Sequence, residues 1–491
     1  MEFQVMVILW SLFVGAIVSM VLHWFFTSIY HRKKLPPGPI PLPIVSNLWQ
    51  LPANIPTRSI NNLARIHGPL MTLKLGFRTT IVISSAQVAV ELSSRSDPDG
   101  ARCALIMDDY RSSLSCIDQK QQWKDLRKVL NMNAFFTPQR SDLVQNVRVL
   151  KLRELTEFLN RCCIRNQVVD IGQVVFTTMI NILSNITFSV DFAAYASESS
   201  KELKNLIRGM IRETGGSRCT ISKFFSVFSS IDGQGNRRKS PTKQLKKLKH
   251  LFDEMIEKRS LSSHQLNDGL DFFLSLSHNS KSTDIETIKN NFLDLLIAGI
   301  DKSSITVEWA MAELIRNPAV MAKARFEINN IVPHDKKIED SHISQLPYLK
   351  AIVKETLRMH PPHPLSQPHT TQNDVHLGGY LLPKHTQLLF NLRAIGRDTD
   401  SWTNPNLFQP ERFLPREQLD CSFLDFQQPI CSDHQPLQSR MVHLMLASLL
   451  HSFDWKLPDG ITPTTMDMTE MVGSTMSLAK PLMLLPLQQI N

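Results

Sequence analysis

Hydrophobic positions change their spacing along this chain, and each spacing predicts a different element. From Val5 to Phe26 no Asp, Glu, Lys or Arg interrupts an apolar run. That length matches the roughly 20 residues needed to cross a bilayer core. Trp10, Trp24, Phe25 and Phe26 add aromatic weight of the kind found at membrane interfaces. Leu70 to Leu75 alternates, Gly76-Phe77-Arg78 turns, and Thr79 to Ile83 reads as a second strand, so a hairpin is expected. From about residue 86 the spacing becomes mostly helical, and region 140–330 carries few strand signals. A long apolar helix holds Leu295 to Ser304 and runs on to Asn317. Another starts near Pro347, and a third strongly helical run covers Gln438 to Leu457. Lys243 to Lys249 leads into an amphipathic helix with Leu248, Leu251, Phe252 and Met255 on its apolar face. Ser199-Ser200-Lys201 and the polar stretch holding Ser260, Ser262 and Ser263 read as loops. No internal repeat stands out.

The first apolar run is followed by His31-Arg32-Lys33-Lys34, and only Glu2 carries charge ahead of it. By the positive-inside rule the basic flank and all that follows face the cytosol. A cleaved signal peptide fits less well: no positive n-region precedes the run and no small-x-small cleavage site follows. Leu35-Pro36-Pro37-Gly38-Pro39-Ile40-Pro41-Leu42-Pro43 is a stiff, extended connector, because proline fixes φ and lacks a donor. The expected organisation is a signal-anchor transmembrane helix over 1–30, a basic and Pro-rich hinge over 31–43, and one body over 44–491, mainly α with small β-sheets.

The formal charge of +9, with a pI near 9.1, suits an acidic partner, an anionic membrane or nucleic acid. The anchor argues against nucleic acid. Seven cysteines (103, 116, 162, 163, 219, 421 and 431) show no CxxC pair, which favours free thiols in a reducing compartment.

Five features carry chemistry. Cys431 lies just ahead of the last helical run, where the helix dipole favours the thiolate, the metal-binding form. An ordinary buried thiol is the alternative. Glu355 and Arg358 stand at i and i+3 on one helix face and can pair. Phe408-Gln409-Pro410-Glu411-Arg412-Phe413 can clasp that pair into a buried network, which interiors tolerate only when fully satisfied. Trp123 and Arg127, at i and i+4, can grip a carboxylate with an indole donor and a guanidinium. Ala298 and Gly299, followed by Asp301 in mid-helix, let a flat ligand approach the backbone; helix packing through small residues is the alternative.

In this order and spacing these features resemble the cytochrome P450 superfamily in its plant microsomal form. Three further segments resemble the subgroup of geraniol 8-hydroxylases: Val307 to Leu314, Ala394 to Asp398 and His443 to Trp455. The resemblance implies a P450 fold behind a single anchor in the endoplasmic reticulum membrane. It implies haem b (iron protoporphyrin IX), with Cys431 as the iron ligand and Cys421 as runner-up, the thiolate pushing electron density toward O–O cleavage. Trp123, Arg127 and His369 would lie at the haem propionates, Ala298 and Gly299 at its face, and Asp301 and Ser303 at the oxygen-activating position. Glu355, Arg358 and Arg412 would form the structural network. Electrons would come from NADPH through NADPH–cytochrome P450 reductase. The implied reaction inserts one oxygen atom from O2 into a small lipophilic substrate such as a monoterpenol.

The chain departs from the family pattern close to the implied chemistry. Around Cys431, Leu424, Gln427, Pro429 and Asp433 replace the Phe, Gly, Arg and Gly of the haem loop. Asp433 opposes thiolate formation and Pro429 removes a backbone donor. Lys302 stands where the family places a threonine, and His369 where it places an arginine. Two further readings follow: a non-catalytic P450-like protein, or a haem-dependent enzyme that rearranges peroxides.

Overall fold

A computed structural model describes residues 35–489 except 43–45, 52–55, 77, 95–104, 108–137, 216–242, 262–267, 272–284, 334–335, 367–368, 372, 415–435 and 473–474, together with Trp10, Gly15 and Ser19. Those last three are helical; the rest of the expected anchor lies outside the described residues. The main helices are α1 (Pro56–His67), α2 (Ala86–Ser94), α3 (Pro138–Ile164), α4 (Ile171–Phe188), α5 (Glu198–Gly215), α6 (Lys243–Leu261), α7 (Ile285–Arg316), α8 (Pro318–Ile331), α9 (Pro347–Met359) and α10 (Pro436–Ser452). The strands are β1 (Leu70–Leu75), β2 (Arg78–Ile83), β3 (Leu105–Met107), β4 (Val169–Asp170), β5 (His369–Thr371), β6 (Val375–Leu377), β7 (Tyr380–Leu382), β8 (Gln387–Phe390), β9 (Asp454–Lys456), β10 (Glu470–Val472), β11 (Met476–Leu478) and β12 (Met483–Leu487). They divide between two compact units.

The first unit takes residues 1–108, 218–236 and 365–403. Its main sheet has the order β1-β2-β8-β5-β3, with β2 and β8 parallel and the other neighbours antiparallel. The hairpin expected from alternation is present, with Leu70 opposite Ile83 and Gly76 in the turn at φ 62°. Leu51, Ile60, Met71, Leu73, Leu75 and Val82 form a small core on it.

The proline-rich connector docks on this sheet. Thr72 of β1 donates its N–H to the Pro37 carbonyl (2.8 Å) and its hydroxyl to the Pro36 carbonyl (2.7 Å). Gly38, the next residue, has no room for a side chain: an added Cβ would fall on the Thr72 carbonyl oxygen. Backbone cannot yield as a side-chain tip does. Gly38→Ala is therefore expected to peel residues 36–39 off β1 and cost about 1–3 kcal/mol. Hydrogen exchange would report it as lost protection of the Thr72 amide; full protection in the variant would show that the connector is not held there.

The second unit takes residues 109–217, 237–364 and 404–491, and holds the large core. At its centre α4 is buried along its length apart from Asn185. It is long and apolar enough to cross a membrane, yet 94% of that window is buried by protein, so it is a core helix. Its ends are closed by local chemistry. Asp170 accepts from the Gln173 N–H at 2.8 Å, and Ser189, at φ 59°, returns its N–H to the Asn185 carbonyl. Its polar side chains are served internally: Thr177 and Thr178 bond back to Gln173 and Val174, and Asn181 holds the backbone of Phe192 and Ala193. α7 packs along α4 and also meets α9 and α10.

Several expectations need correction. The last helical run stops at Ser452, not Leu457, because Asp454–Lys456 leaves to pair with β12. Ser199-Ser200-Lys201 is not a loop: Ser197 accepts from the Ser200 N–H at 3.1 Å and starts α5 there. Ser260 is helical within α6, and Ser262 and Ser263 lie outside the described residues. On α6, Leu248, Phe252 and Ile256 face the core, while Leu251 is exposed. The long helix ends at Arg316, one residue before the expected Asn317.

Candidate functional site

The site is built on α7 of the second unit. Gly299 is buried there, and Ala298 precedes it in the helix. Asp301 is 1% exposed, and neither carboxylate oxygen has a hydrogen-bond partner among the described residues. The nearest cation is Arg208 on α5, its Nε 3.8 Å from Oδ1. Burial pushes the Asp301 carboxyl up; Arg208, the Thr475 hydroxyl, Lys204 and Lys302 pull it down without cancelling burial.

About two turns further along α7, on the same side, Glu308 repeats the situation. It is 4% exposed and accepts from the Leu482 N–H at 3.3 Å. Its carboxylate fills the space where a Cβ on Gly172 would go. Burial raises its pKa, opposed first by Lys204, which burial in turn pushes down. Lys204 and Arg208 stand at i and i+4 on α5, so two cations face two acids across the helix contact. The cluster can hold a proton in the interior, because each carboxyl favours its neutral form more than it would in water.

The helix around Asp301 is lined with hydroxyls. Ser304 donates to the carbonyls of Ile300 (2.8 Å) and Asp301 (3.1 Å), and Thr306 to that of Lys302 (2.8 Å). Such back-bonding loosens helices locally. Ser303 is buried and Lys302 half-buried.

A second element of the unit is a closed polar lock. Glu355 and Arg358 on α9 are both 0% exposed and paired twice, Nε to Oε2 at 2.7 Å and Nη2 to Oε1 at 2.8 Å. Arg358 also donates to the carbonyls of Pro405 (2.8 Å) and Leu407 (3.3 Å). Glu355 accepts from the Gln409 N–H at 2.8 Å and faces Arg412 Nε at 3.4 Å. Arg412 closes the ring on the Asn404 carbonyl and the Gln409 side chain. The charges are thus bonded on several sides, the condition for holding an ion pair inside.

His369 lies in the other unit, buried in β5 and edge-on to Phe390 at 5.7 Å. Trp123, Arg127, Cys421 and Cys431 lie outside the described residues, as do Leu424, Gln427, Pro429 and Asp433. Sequence reasoning missed Lys204, Arg208, Glu308 and Thr475. The i, i+4 cations and i, i+7 acids were visible as spacings, but nothing local joins α5 to α7.

The family model described as Cytochrome P450 matches residues 36–485. The chain is 39% identical to "Cytochrome P450 76T24" of Catharanthus roseus, over 97% of this chain and 99% of the relative. It is 38% identical to the "Geraniol 8-hydroxylase" of the same plant, over 95% and 97%. It is 37% identical to "Geranylhydroquinone 3''-hydroxylase CYP76B74" of Arnebia euchroma, over 97% and 98%.

Proposed function

The chain belongs to the cytochrome P450 family, and on that premise we propose that it is a haem-thiolate monooxygenase of small lipophilic plant metabolites. Its substrate is a terpenoid alcohol or a similar prenyl-derived compound. This finer reading is supported by relatives named for hydroxylating geraniol and geranylhydroquinone. The anchor over 1–30 holds the chain at the endoplasmic reticulum membrane, beside the NADPH-fed reductase that supplies electrons and the lipid that stores the substrate.

One observation carries the catalytic reading over the non-catalytic one. Asp301 keeps a buried carboxylate with no hydrogen-bond partner among the described residues, and a chain relieved of catalysis gains nothing from that cost. Gly299 adds no side chain on the face where a flat group would lie, and Asp301, roughly 200° further round the helix, is turned toward Arg208 of α5. Cys431 would hold the iron, Trp123, Arg127 and His369 the propionates, and Ala298 and Gly299 the flat face. When bound, haem supplies the activation of dioxygen. The residues around it have simpler tasks. Asp301 holds a proton beside Arg208 and Lys204 of α5. Glu308, Lys204 and Arg208 set the field in which it does so. The lock of Glu355, Arg358 and Arg412 fixes residues 404–412, which precede Cys431 in the chain.

The reduced, carbon-monoxide-bound spectrum of the full chain tests this. A strongly red-shifted Soret band is expected for the native chain and for Cys421→Ala, and its loss for Cys431→Ala. A band that survives Cys431→Ala and disappears with Cys421→Ala moves the ligand to Cys421. No haem at all leaves the non-catalytic reading, which Lys302, Gln427, Pro429 and Asp433 favour. With haem, reductase and geraniol-like alcohols, product formation separates the oxygenase from the peroxide route.

A further inference from the structure

A cleft of about 410 Å³ opens on the second unit. Its walls come from α3, from the segment that follows α8, from the end of α10 and from the residues after β12. It shares no residue with the Asp301 cluster on α7. Its volume falls in the range of small-molecule sites, about 300–1,000 Å³. One side is apolar: Leu152 of α3 and Ile338 are buried, while Val149, one turn earlier on α3, stays 46% exposed.

No Asp or Glu lines the cleft, and three cations do: Arg153 on α3, with Lys336 and Lys337 opposite. Arg153 gives its Nε to Glu157, one turn further along α3, at 2.7 Å, which leaves the two Nη groups of its fork. The Arg153 bond, with a smaller pull from Lys337, holds the Glu157 carboxyl below its ordinary range. Three cations less that one carboxylate leave two positive charges beside the apolar strip. The walls are fixed without a ligand. His451 of α10 has its Nε2 3.2 Å from the Val332 carbonyl, at the start of the lysine segment. Lys336 donates its N–H to the Pro333 carbonyl at 2.9 Å, and Arg148 pairs with Asp340 just past Ile338. The dipole of α10 opposes an anion at its C-terminal end. Trp455 and Gln489 blunt it, donating to the Leu449 and Leu450 carbonyls at 2.9 and 3.1 Å.

We propose that this cleft binds a small amphipathic anion, a phosphate monoester on a short apolar body. The head sits against Arg153, Lys336 and Lys337, and the body lies on Val149, Leu152 and Ile338. A guanidinium fork and two ammonium groups suit the oxygens of a phosphate. A monoester carries a charge of about −1.5 to −2 at neutral pH, which matches the two positive charges left over. A bare ion uses only the cations and a neutral alcohol only the apolar strip; the cleft offers both at once.

Isothermal titration of the full-length chain in phosphatidylcholine nanodiscs tests this, with butyl phosphate, inorganic phosphate and butanol as probes at one ionic strength. Butyl phosphate is expected to bind at one site at least about tenfold more tightly than inorganic phosphate, since each buried methylene is worth about fourfold. The double variant Lys336→Gln with Lys337→Gln is expected to weaken both phosphates by about tenfold or more. Val149→Ser is expected to weaken butyl phosphate alone, by about fourfold. All three positions are exposed, so the fold is not at stake. Hydrogen exchange is expected to show new protection at 336–338 and 448–452 with butyl phosphate. Discs containing phosphatidic acid distinguish the source: loss of butyl phosphate binding there makes the ligand a lipid headgroup, and unchanged binding makes it a free phosphate ester. Equal affinity for butyl phosphate and inorganic phosphate overturns the proposal by reducing the cleft to a counterion patch. No binding, binding untouched by the double lysine variant, or protection confined to other segments overturns it as well. The readout needs neither haem nor turnover, so it stands apart from the monooxygenase reading.

Discussion

Arg358→Ala is expected to leave little folded protein. The guanidinium makes two bonds to Glu355 and two to the carbonyls of Pro405 and Leu407, in a pocket where both side chains are 0% exposed. Alanine leaves the Glu355 carboxylate inside with the Gln409 N–H and a 3.4 Å approach from Arg412 as its main support. Removing one partner of such a pair costs about 3–5 kcal/mol, because the other charge stays buried. Whole domains are stable by only about 5–15 kcal/mol, so the loss takes a large share. Arg358→Lys is expected to fall between: an ammonium keeps the charge but cannot span Glu355, Pro405 and Leu407 with a flat fork. The paired change Glu355→Gln with Arg358→Met is expected to recover part of the stability, since it leaves no lone charge inside. Urea unfolding followed by circular dichroism ranks the three. An Arg358→Ala chain within about 1 kcal/mol of the native one would show that the lock is not what holds residues 404–412.

The lock also shows what a sequence gives away. Glu355 and Arg358 were legible because i, i+3 spacing on a helix is a local fact, and Pro347 marks where that helix starts. The hairpin from Leu70 to Ile83 was legible for the same reason: alternation and a glycine turn are both short-range signals. The misread ends have long-range causes. Asp454 to Lys456 continues the helical pattern of α10, and only its pairing with Leu485 to Leu487 draws it into a strand. Ser199 and Ser200 looked like loop residues because serine favours both loops and helix starts. At the candidate site the split is sharper. Asp301 drew attention as an acid in an apolar helix, but its meaning depends on Arg208, Lys204 and Thr475. Those come from α5 and from the β10–β11 hairpin, and no periodicity links them to α7. Nothing in the sequence marked His360, yet it sits between two carboxylates and against an indole.

Asp301→Asn is expected to stabilise the fold while removing coupled turnover. The two effects share one cause. Burial raises the Asp301 carboxyl above its ordinary value, and the attraction of Arg208, Lys204 and Lys302 does not bring it back. A carboxyl whose folded pKa exceeds its unfolded one contributes stability that is fully present below the unfolded value and lost as pH rises through the folded value. Asparagine keeps the shape and never ionises. The variant and the native chain should therefore melt alike at acidic pH, below about 4, where both carry a neutral group. Above that the gap should open in favour of the variant and level off past the folded pKa. Its size is of the order of one orphaned buried group, about 1–3 kcal/mol. Glu308 titrates in the same direction, but it is present in both proteins and drops out of the difference. The functional cost runs the other way. A positioned proton donor is worth about a hundredfold or more in rate, so product formation should slow by roughly that factor, and the product formed per oxygen consumed should fall, with the Soret band unchanged. Parallel melts across pH and coupling measurements check both halves. A variant less stable than the native chain at every pH would mean that the cations need the Asp301 charge more than burial opposes it. Unchanged coupling would remove Asp301 from proton handling. A carboxylate that weakens the fold and serves the reaction is the pattern expected where a protein gives up stability for function.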